Sequence, residues 1–442
     1  MSAITKSDDV AMSISVDLGQ AIHALSDALD LVGVDQVYHG KRVGFMVLHC
    51  GQALGLDDAA LEDLFHAGLL HDCAVSSTSV HRHLVNELDW EGAEFHCIRG
   101  SELLAQFAPL AHLAPIVRYH HTHWDELSSL NVPPEIARWA NLVYLADRVD
   151  ALAAPHYERD LLLHQQMIRQ KVWGLAGAFF APDLVALFMD LSDSEAFWLS
   201  LEPRHLVRFL YERERHARLV PLSFVELRKL ALLFARVVDA KSPYTMEHSL
   251  GTARLARLLA ERAGLALPVC EKIEVAGLLH DLGKLQVPDE ILEKASPLTE
   301  AERALIQRHS FETYQILRGI TGLEDVTLWA AYHHETPDGR GYPFHRCGAE
   351  LTLEMRIIAV ADVFQALAQK RPYRQPLSPA RILDMLRAFV AQNRLDGAVV
   401  DLAGQDVEAS WRAATGAESF AAWSRKAVLP CQVETRDDCR CR

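Results

Sequence analysis

No run of apolar residues in this 442-residue chain approaches the roughly 20 needed to cross a bilayer, and its start, MSAITKSDDV, lacks the basic-then-apolar order of a secretory signal. Such a chain reads as cytoplasmic, with no membrane attachment. Cysteine is sparse and scattered: Cys50, Cys73, Cys97, Cys270, Cys347, Cys431, Cys439 and Cys441. That spread excludes a disulfide framework of the kind that staples small secreted domains. Cys431, Cys439 and Cys441 form no CxxC pair and read as part of a mobile, reduced terminus. Basic charge is in deficit, with 44 Lys and Arg against 59 Asp and Glu and a formal net charge of -15. This excludes non-specific binding to a nucleic-acid polymer or an anionic membrane. A small anionic substrate remains compatible, because metal ions and a few Lys or Arg side chains dominate the field inside a site. Alternating strand patterns are also scarce.

What is present is helical periodicity. Ile14, Leu18, Ile22, Leu25, Leu29 and Val32 follow one stripe of an amphipathic helix. Ser223 with Glu226, and Thr299 with Glu302, have capping-box spacing, and Ser378-Pro379 marks a further helix start. The predicted fold class is all-α. A chain of this length suits two cores of middling size.

Laid out in order, the histidines reveal an internal repeat. The first half has His39, His71-Asp72, His96, His120-His121 and Asp147; the second has His248, His280-Asp281, His309, His333-His334 and Asp362. In both halves 32 residues separate the first His from the His-Asp pair, and 24 separate the next His from the His-His pair. GLLHD and YHH occur in both. The chain therefore divides into a first helical domain at 1–155, a connector at 156–222, a second helical domain at 223–405 and a tail at 406–442. Trp173, Phe179, Phe180, Leu184, Phe188 and Phe197 supply the connector with enough apolar surface to pack as helices on one or both domains.

One histidine in an apolar helix is usually a hydrogen-bonded core residue. Seven ligand-type residues recurring in a fixed order point instead to metal. Imidazoles and carboxylates suit borderline first-row ions, and an adjacent His-Asp pair lets one carboxylate bridge two of them.

The second half resembles the HD-GYP branch of the HD phosphohydrolases. YTMEHS around His248, LLHDLGK from Leu278, His309, HHETPDGRGYP from His333, VADVFQAL around Asp362 and RPYR from Arg371 carry the match, over about 170 residues. The resemblance implies that His248, His280, Asp281, His309, His333, His334 and Asp362 hold two divalent transition metals, with Asp281 bridging. Iron or manganese is the first expectation, cobalt or nickel the alternative. It further implies that Lys284 contacts the scissile phosphate, that Gly341, Tyr342 and Pro343 form a signature loop beside the site, and that Arg371 and Arg374 face substrate phosphate. Asp281 and Lys284 are then the catalytic pair. Two departures stand out. Tyr244 occupies the place of a glutamate that serves a third metal in some members, and Gln365 stands where many have a second aspartate.

The implied activity is hydrolysis of a cyclic dinucleotide, cyclic di-GMP first and 3′,3′-cyclic GMP-AMP as the alternative, to the linear dinucleotide and onward to mononucleotide. Two ions sharing a carboxylate acidify a water between them and offset charge on the phosphate, while Lys284 adds oriented positive charge. A cyclic dinucleotide sensor that does not hydrolyse its ligand, and a mononucleotide phosphatase, are the readings from other classes. A second copy of the chain or a signalling protein remain open as partners. The first half resembles a divergent HD domain. His39, His71, Asp72, His96, His120, His121 and Asp147 form a possible second metal site, but Cys73-Ala74-Val75 replaces the lysine segment and THWDELSSL replaces the Gly-Tyr-Pro loop. A regulatory or packing role is expected for it.

Overall fold

The computed structural model of the chain describes residues 13–32, 38–75, 77–86, 89–90, 92–127, 129–214, 219–239, 241, 247–370 and 375–417. Helices dominate, as the apolar stripes require. Among the described residues the one sheet is a two-stranded ribbon, β1 (Ser13–Asp17) antiparallel to β2 (Leu219–Ser223). Ile14 therefore lies in a strand rather than at the head of the predicted helix, which runs Leu18–Asp30. The physical reason is a distant partner: Ile14 pairs with Leu222 and Val16 with Val220. Asp17 closes the strand and caps the helix, its carboxylate accepting from Gln20 N at 2.9 Å.

The same strand-then-helix unit recurs at β2 and Phe224–Asp239. There Ser223 and Glu226 form the expected reciprocal cap, and the Thr299–Glu302 box opens Glu300–Leu317 as its spacing predicts. Because the two strands pair with each other, the halves meet where their repeats begin. Apolar side chains of both belong to one continuous core, from Val16 and Leu70 to Leu279 and Phe364.

The connector packs on the first half. Its helices are Leu161–Gly174, Pro182–Leu191, Glu195–Ser200 and Pro203–Glu214. Phe209 sits edge-on to Phe45 at 5.0 Å, and Phe179 lies 3.9 Å from the His123 ring. Residues 407–415, expected to belong to the tail, form a helix instead (Val407–Thr415), anchored by a fully buried Trp411. Cys431, Cys439 and Cys441 lie outside the described residues. No described helix is long and apolar enough to cross a membrane.

Candidate metal centres

In the second half every candidate ligand is carried by the end or the inner face of a helix. His248 opens His248–Arg262; His280 and Asp281 follow Leu267–Leu279; His309 lies in Glu300–Leu317; His333 and His334 follow Glu324–Ala331; Asp362 lies in Leu353–Ala368. The structure brings all seven together. Asp281 divides its oxygens between two groups of imidazoles. Oδ2 lies 3.2 Å from His248 Nε2 and 3.4 Å from His280 Nε2, while Oδ1 lies 3.5 Å from His309 Nε2 and 3.9 Å from His333 Nε2. Asp362 Oδ1 adds to the first group, 3.1 Å from His248 Nε2. His334 joins the second.

The remaining ring nitrogens explain why the Nε2 atoms face inward. His280, His309 and His333 each donate Nδ1–H to the carbonyl three residues earlier, that of Gly277, Ile306 and Ala330, at 2.8, 2.6 and 2.7 Å. His248 Nδ1 donates to Gln365 Oε1. This sets the tautomer, leaving Nε2 as a bare lone pair. Nε2 atoms then meet at 3.2 Å in two pairs, His248 with His280 and His309 with His333. Lone pairs that close repel unless a proton or a cation lies between them. Burial opposes charge on His248, but Asp281 and Asp362 outweigh it and raise its pKa. Asp281 Oδ1 is buried and accepts no hydrogen bond. The donor set fits borderline divalent cations.

Burial, reinforced by His334, lowers His309 to about 3, and burial lowers His334 to about 4, which keeps both imidazoles neutral as metal binding requires. Burial resists ionisation of Asp281, but His280, Lys284 and His248 outweigh it and hold the carboxyl well below its usual range.

Lys284 Nζ lies 2.5 Å from Asp281 Oδ2, at the mouth of the cluster. Tyr342 stacks toward His334 with centroids 4.8 Å apart and donates its backbone N–H to His334 O at 3.3 Å. The Tyr342-Pro343 bond is cis. A Cβ on Gly341 would come within 2.4 Å of the Glu335 backbone, so only glycine fits this close approach. Glu335, whose role the sequence did not reveal, is buried and holds the loop by accepting from Phe344 N and Arg346 N at 2.6 and 2.9 Å. Its only signal was its place inside HHETPDGRGYP. Arg371, Arg374 and Tyr244 lie outside the described residues.

The first half repeats the arrangement. Asp72 Oδ2 faces His71 and His39 at 3.5 and 3.8 Å, and Oδ1 faces His96 and His120 at 3.1 and 3.7 Å. Asp147 reaches His39 and His121 at 3.4 and 3.6 Å. Three differences follow. Asp150, in the place of Gln365, accepts from His39 Nδ1 at 2.7 Å and pairs with Arg42. Cys97 replaces Ser310 beside its histidine, 3.7 Å from His96 Nε2. Arg148 clamps Asp147 with two hydrogen bonds of 3.0 Å, whereas Val363 occupies the corresponding position in the second half. The first site thus carries its built-in cation against Asp147, whereas the second carries Lys284 against Asp281. Asp150 and Arg148 were missed by sequence reading, although Asp150 has the same i+3 spacing from Asp147 that Gln365 has from Asp362.

Helices closing on a buried His-Asp cluster, twice in one chain, define a tandem HD-domain protein. The HD domain family matches at residues 37–152 and again at 232–399. The 3'3'-cGAMP-specific phosphodiesterase 1 of Vibrio cholerae serotype O1 is 39% identical over 401 residues, 88% of this chain and 91% of that protein. The chain therefore belongs to the HD-domain cyclic dinucleotide phosphodiesterases. The 3'3'-cGAMP-specific phosphodiesterase 3 of the same organism is 28% identical, over 85% of this chain and 91% of that one. The cyclic di-GMP phosphodiesterase response regulator RpfG of Xanthomonas campestris pv. campestris is 38% identical over 36% of this chain and 43% of its own length. A crystal structure of V-cGAP3, a cyclic GMP-AMP specific phosphodiesterase of V. cholerae, shares the fold with a TM-score of 0.61 and 24% identity, covering 90% of this chain and 98% of that one.

Proposed function

We propose that the second domain, residues 223–405, hydrolyses a cyclic dinucleotide at a centre of two divalent cations held by His248, His280, Asp281, His309, His333, His334 and Asp362. The observation that carries this is the Asp281 carboxylate, buried between two sets of inward-facing Nε2 atoms with one oxygen toward each. Bound there, two such ions, iron or manganese first, supply an acidified water and offset phosphate charge.

The chain's own residues do the rest. The carbonyls of Gly277, Ile306 and Ala330 and the Gln365 amide lock the imidazoles in place before substrate arrives, so little reorganisation is needed during reaction. Lys284 is placed to trade part of its contact with Asp281 for a phosphate oxygen. Gly341, Tyr342 and Pro343 form a wall beside His334 that limits water and orients the nucleotide, and Arg371 and Arg374 contribute phosphate contacts.

Of the two substrates, we favour 3′,3′-cyclic GMP-AMP over cyclic di-GMP. The relatives that align across both HD domains carry the first specificity in their names, whereas RpfG aligns over about a third of the chain. The first domain, residues 1–155, regulates or supports the second, in the cytoplasm. Incubating the purified, manganese-loaded chain with each cyclic dinucleotide in parallel tests this. Linear GMP-AMP appearing faster than linear di-GMP is expected. Metal-dependent binding with no product from either would instead make the protein a sensor.

A further inference from the structure

Outside both HD clusters, a third group of ligand-type side chains gathers where the connector leaves the first domain. His156 ends the short turn Ala154–His156, Asp160 precedes the helix Leu161–Gly174, and His164 lies in its first turn. The His156 Nδ1 atom lies 2.8 Å from Asp160 Oδ1, and His164 Nδ1 lies 3.5 Å from the same oxygen. One donor atom from each residue falls within 4.8 Å of the others. The two imidazoles stack with centroids 3.6 Å apart and planes at 15°.

The backbone is bent to make this meeting possible. Glu158 has φ 59°, in the left-handed region that a residue with a Cβ enters only at a cost. Its N–H is held by Glu202 Oε2 at 2.8 Å, and Arg159 N and Asp160 N both turn back to His156 O at 3.2 Å. The reversal lays His156 over His164 and brings both Nδ1 atoms to Asp160, that of His156 onto the carboxylate and that of His164 onto the backbone carbonyl at 3.1 Å, with the carboxylate oxygen 3.5 Å away.

We propose that His156, Asp160 and His164 form a separate binding site for a borderline divalent cation of the zinc class. Two imidazoles and a carboxylate are a common three-ligand set for such an ion, leaving one position for water. With ligand bonds of about 2.0–2.2 Å, tetrahedral donor atoms lie roughly 3.3–3.6 Å apart. His164 Nδ1 already stands at that distance from Asp160 Oδ1, while His156 Nδ1, hydrogen-bonded to it at 2.8 Å, has to draw back to bind an ion. Occupancy requires the rings to rotate out of their stack so that both Nδ1 lone pairs converge, and it replaces the contact of His164 Nδ1 with Asp160 O at 3.1 Å. The torsion concerned is broad, and all three side chains are only partly buried, so this motion meets little resistance. The neighbouring Tyr157 hydroxyl donates to Asp150 Oδ1 at 2.6 Å, and Asp150 Oδ2 accepts from His39. A cation on the turn therefore stiffens the strut behind a ligand of the first HD cluster.

The test is metal stoichiometry on the full chain. Chelator-stripped protein is titrated with cobalt(II) and with zinc(II), followed by calorimetry and by the visible spectrum of the cobalt form. Asp160→Asn and His164→Ala are compared with wild type, and Arg159→Ala serves as a neighbour control. Wild type and Arg159→Ala are expected to bind one equivalent more than either ligand variant, with a four-coordinate cobalt band that the variants lose. All four proteins should share the same metal-free melting temperature, which separates loss of a site from loss of fold. Equal stoichiometry in all four, with matched melting, overturns the proposal.

Discussion

Lys284 and Val75 occupy the same place in the two repeats, four residues past the His of each His-Asp pair. Lys284 reaches back to Asp281 Oδ2, while Val75 is buried in a small apolar cluster with Leu84 and Ala93. One segment offers a charge to the cluster's mouth and the other fills a hydrophobic pocket. Replacing Lys284 with Ala is expected to lower kcat by on the order of 10²–10³-fold, the usual loss when one oriented transition-state contact is removed. Metal content by elemental analysis should not change, since Lys284 is not a ligand. A fall in both together would instead assign Lys284 to stabilising Asp281. This much of the difference was legible in the letters, because DLGK against DCAV is a contrast of charge. The Arg148–Asp147 clamp was not, since a basic residue beside an acidic one in sequence says nothing about whether their side chains meet.

Helix placement depends on how closely the His-Asp turn approaches its neighbour. Gly283 packs against the helix Glu300–Leu317 so tightly that an added Cβ would lie 2.1 Å from His309 O. Its N–H donates to Thr313 Oγ1 at 3.0 Å, and the Thr313 hydroxyl donates to His280 O at 3.1 Å. Gly283→Ala must therefore push the helix carrying His309 away from Asp281. A cost of about 1–3 kcal/mol is expected from overpacking, read as a lower denaturation midpoint, together with a loss of metal affinity. Ala74, the counterpart in the first half, shows that the other repeat tolerates a methyl there. The helices themselves were readable from apolar period and capping spacing, whereas their approach distance depends on which side chains lie opposite.

For the molecule as a whole, the ribbon of β1 and β2 ties the start of one repeat to the start of the other. The Thr321 carbonyl accepts from Asp17 N at 3.2 Å, and Thr321 N donates to Gln20 Oε1 at 2.8 Å, so the first strand also rests on the second domain. A further bridge runs from Ser77 Oγ and Thr78 N to Asp289 Oδ2, at 3.0 and 3.1 Å. Removing residues 1–17 is expected to unpair β2 and uncouple the halves. Calorimetry should then resolve two transitions where the full chain shows one, and a single unsplit transition would assign the coupling to the shared helical core.

The amino-acid order alone determined the two-fold repeat, the helical class and the identity of fourteen residues that converge in two clusters. Those properties are local or periodic: helix stripes follow from side-chain spacing, and ligand types from their chemistry. Only the tertiary structure decided that Ile14 joins a strand, that residues 407–415 pack as a helix around Trp411, and that Asp150, Arg148 and Glu335 stand behind the site. Two of those outcomes depend on a partner distant in the chain, Leu222 for Ile14 and His39 for Asp150, while Arg148 and Glu335 meet nearby residues only because the fold turns their side chains that way. A pairing across a hundred residues or more is paid in loop-closure entropy and recovered in contacts formed after folding, so it leaves no periodic trace in the sequence.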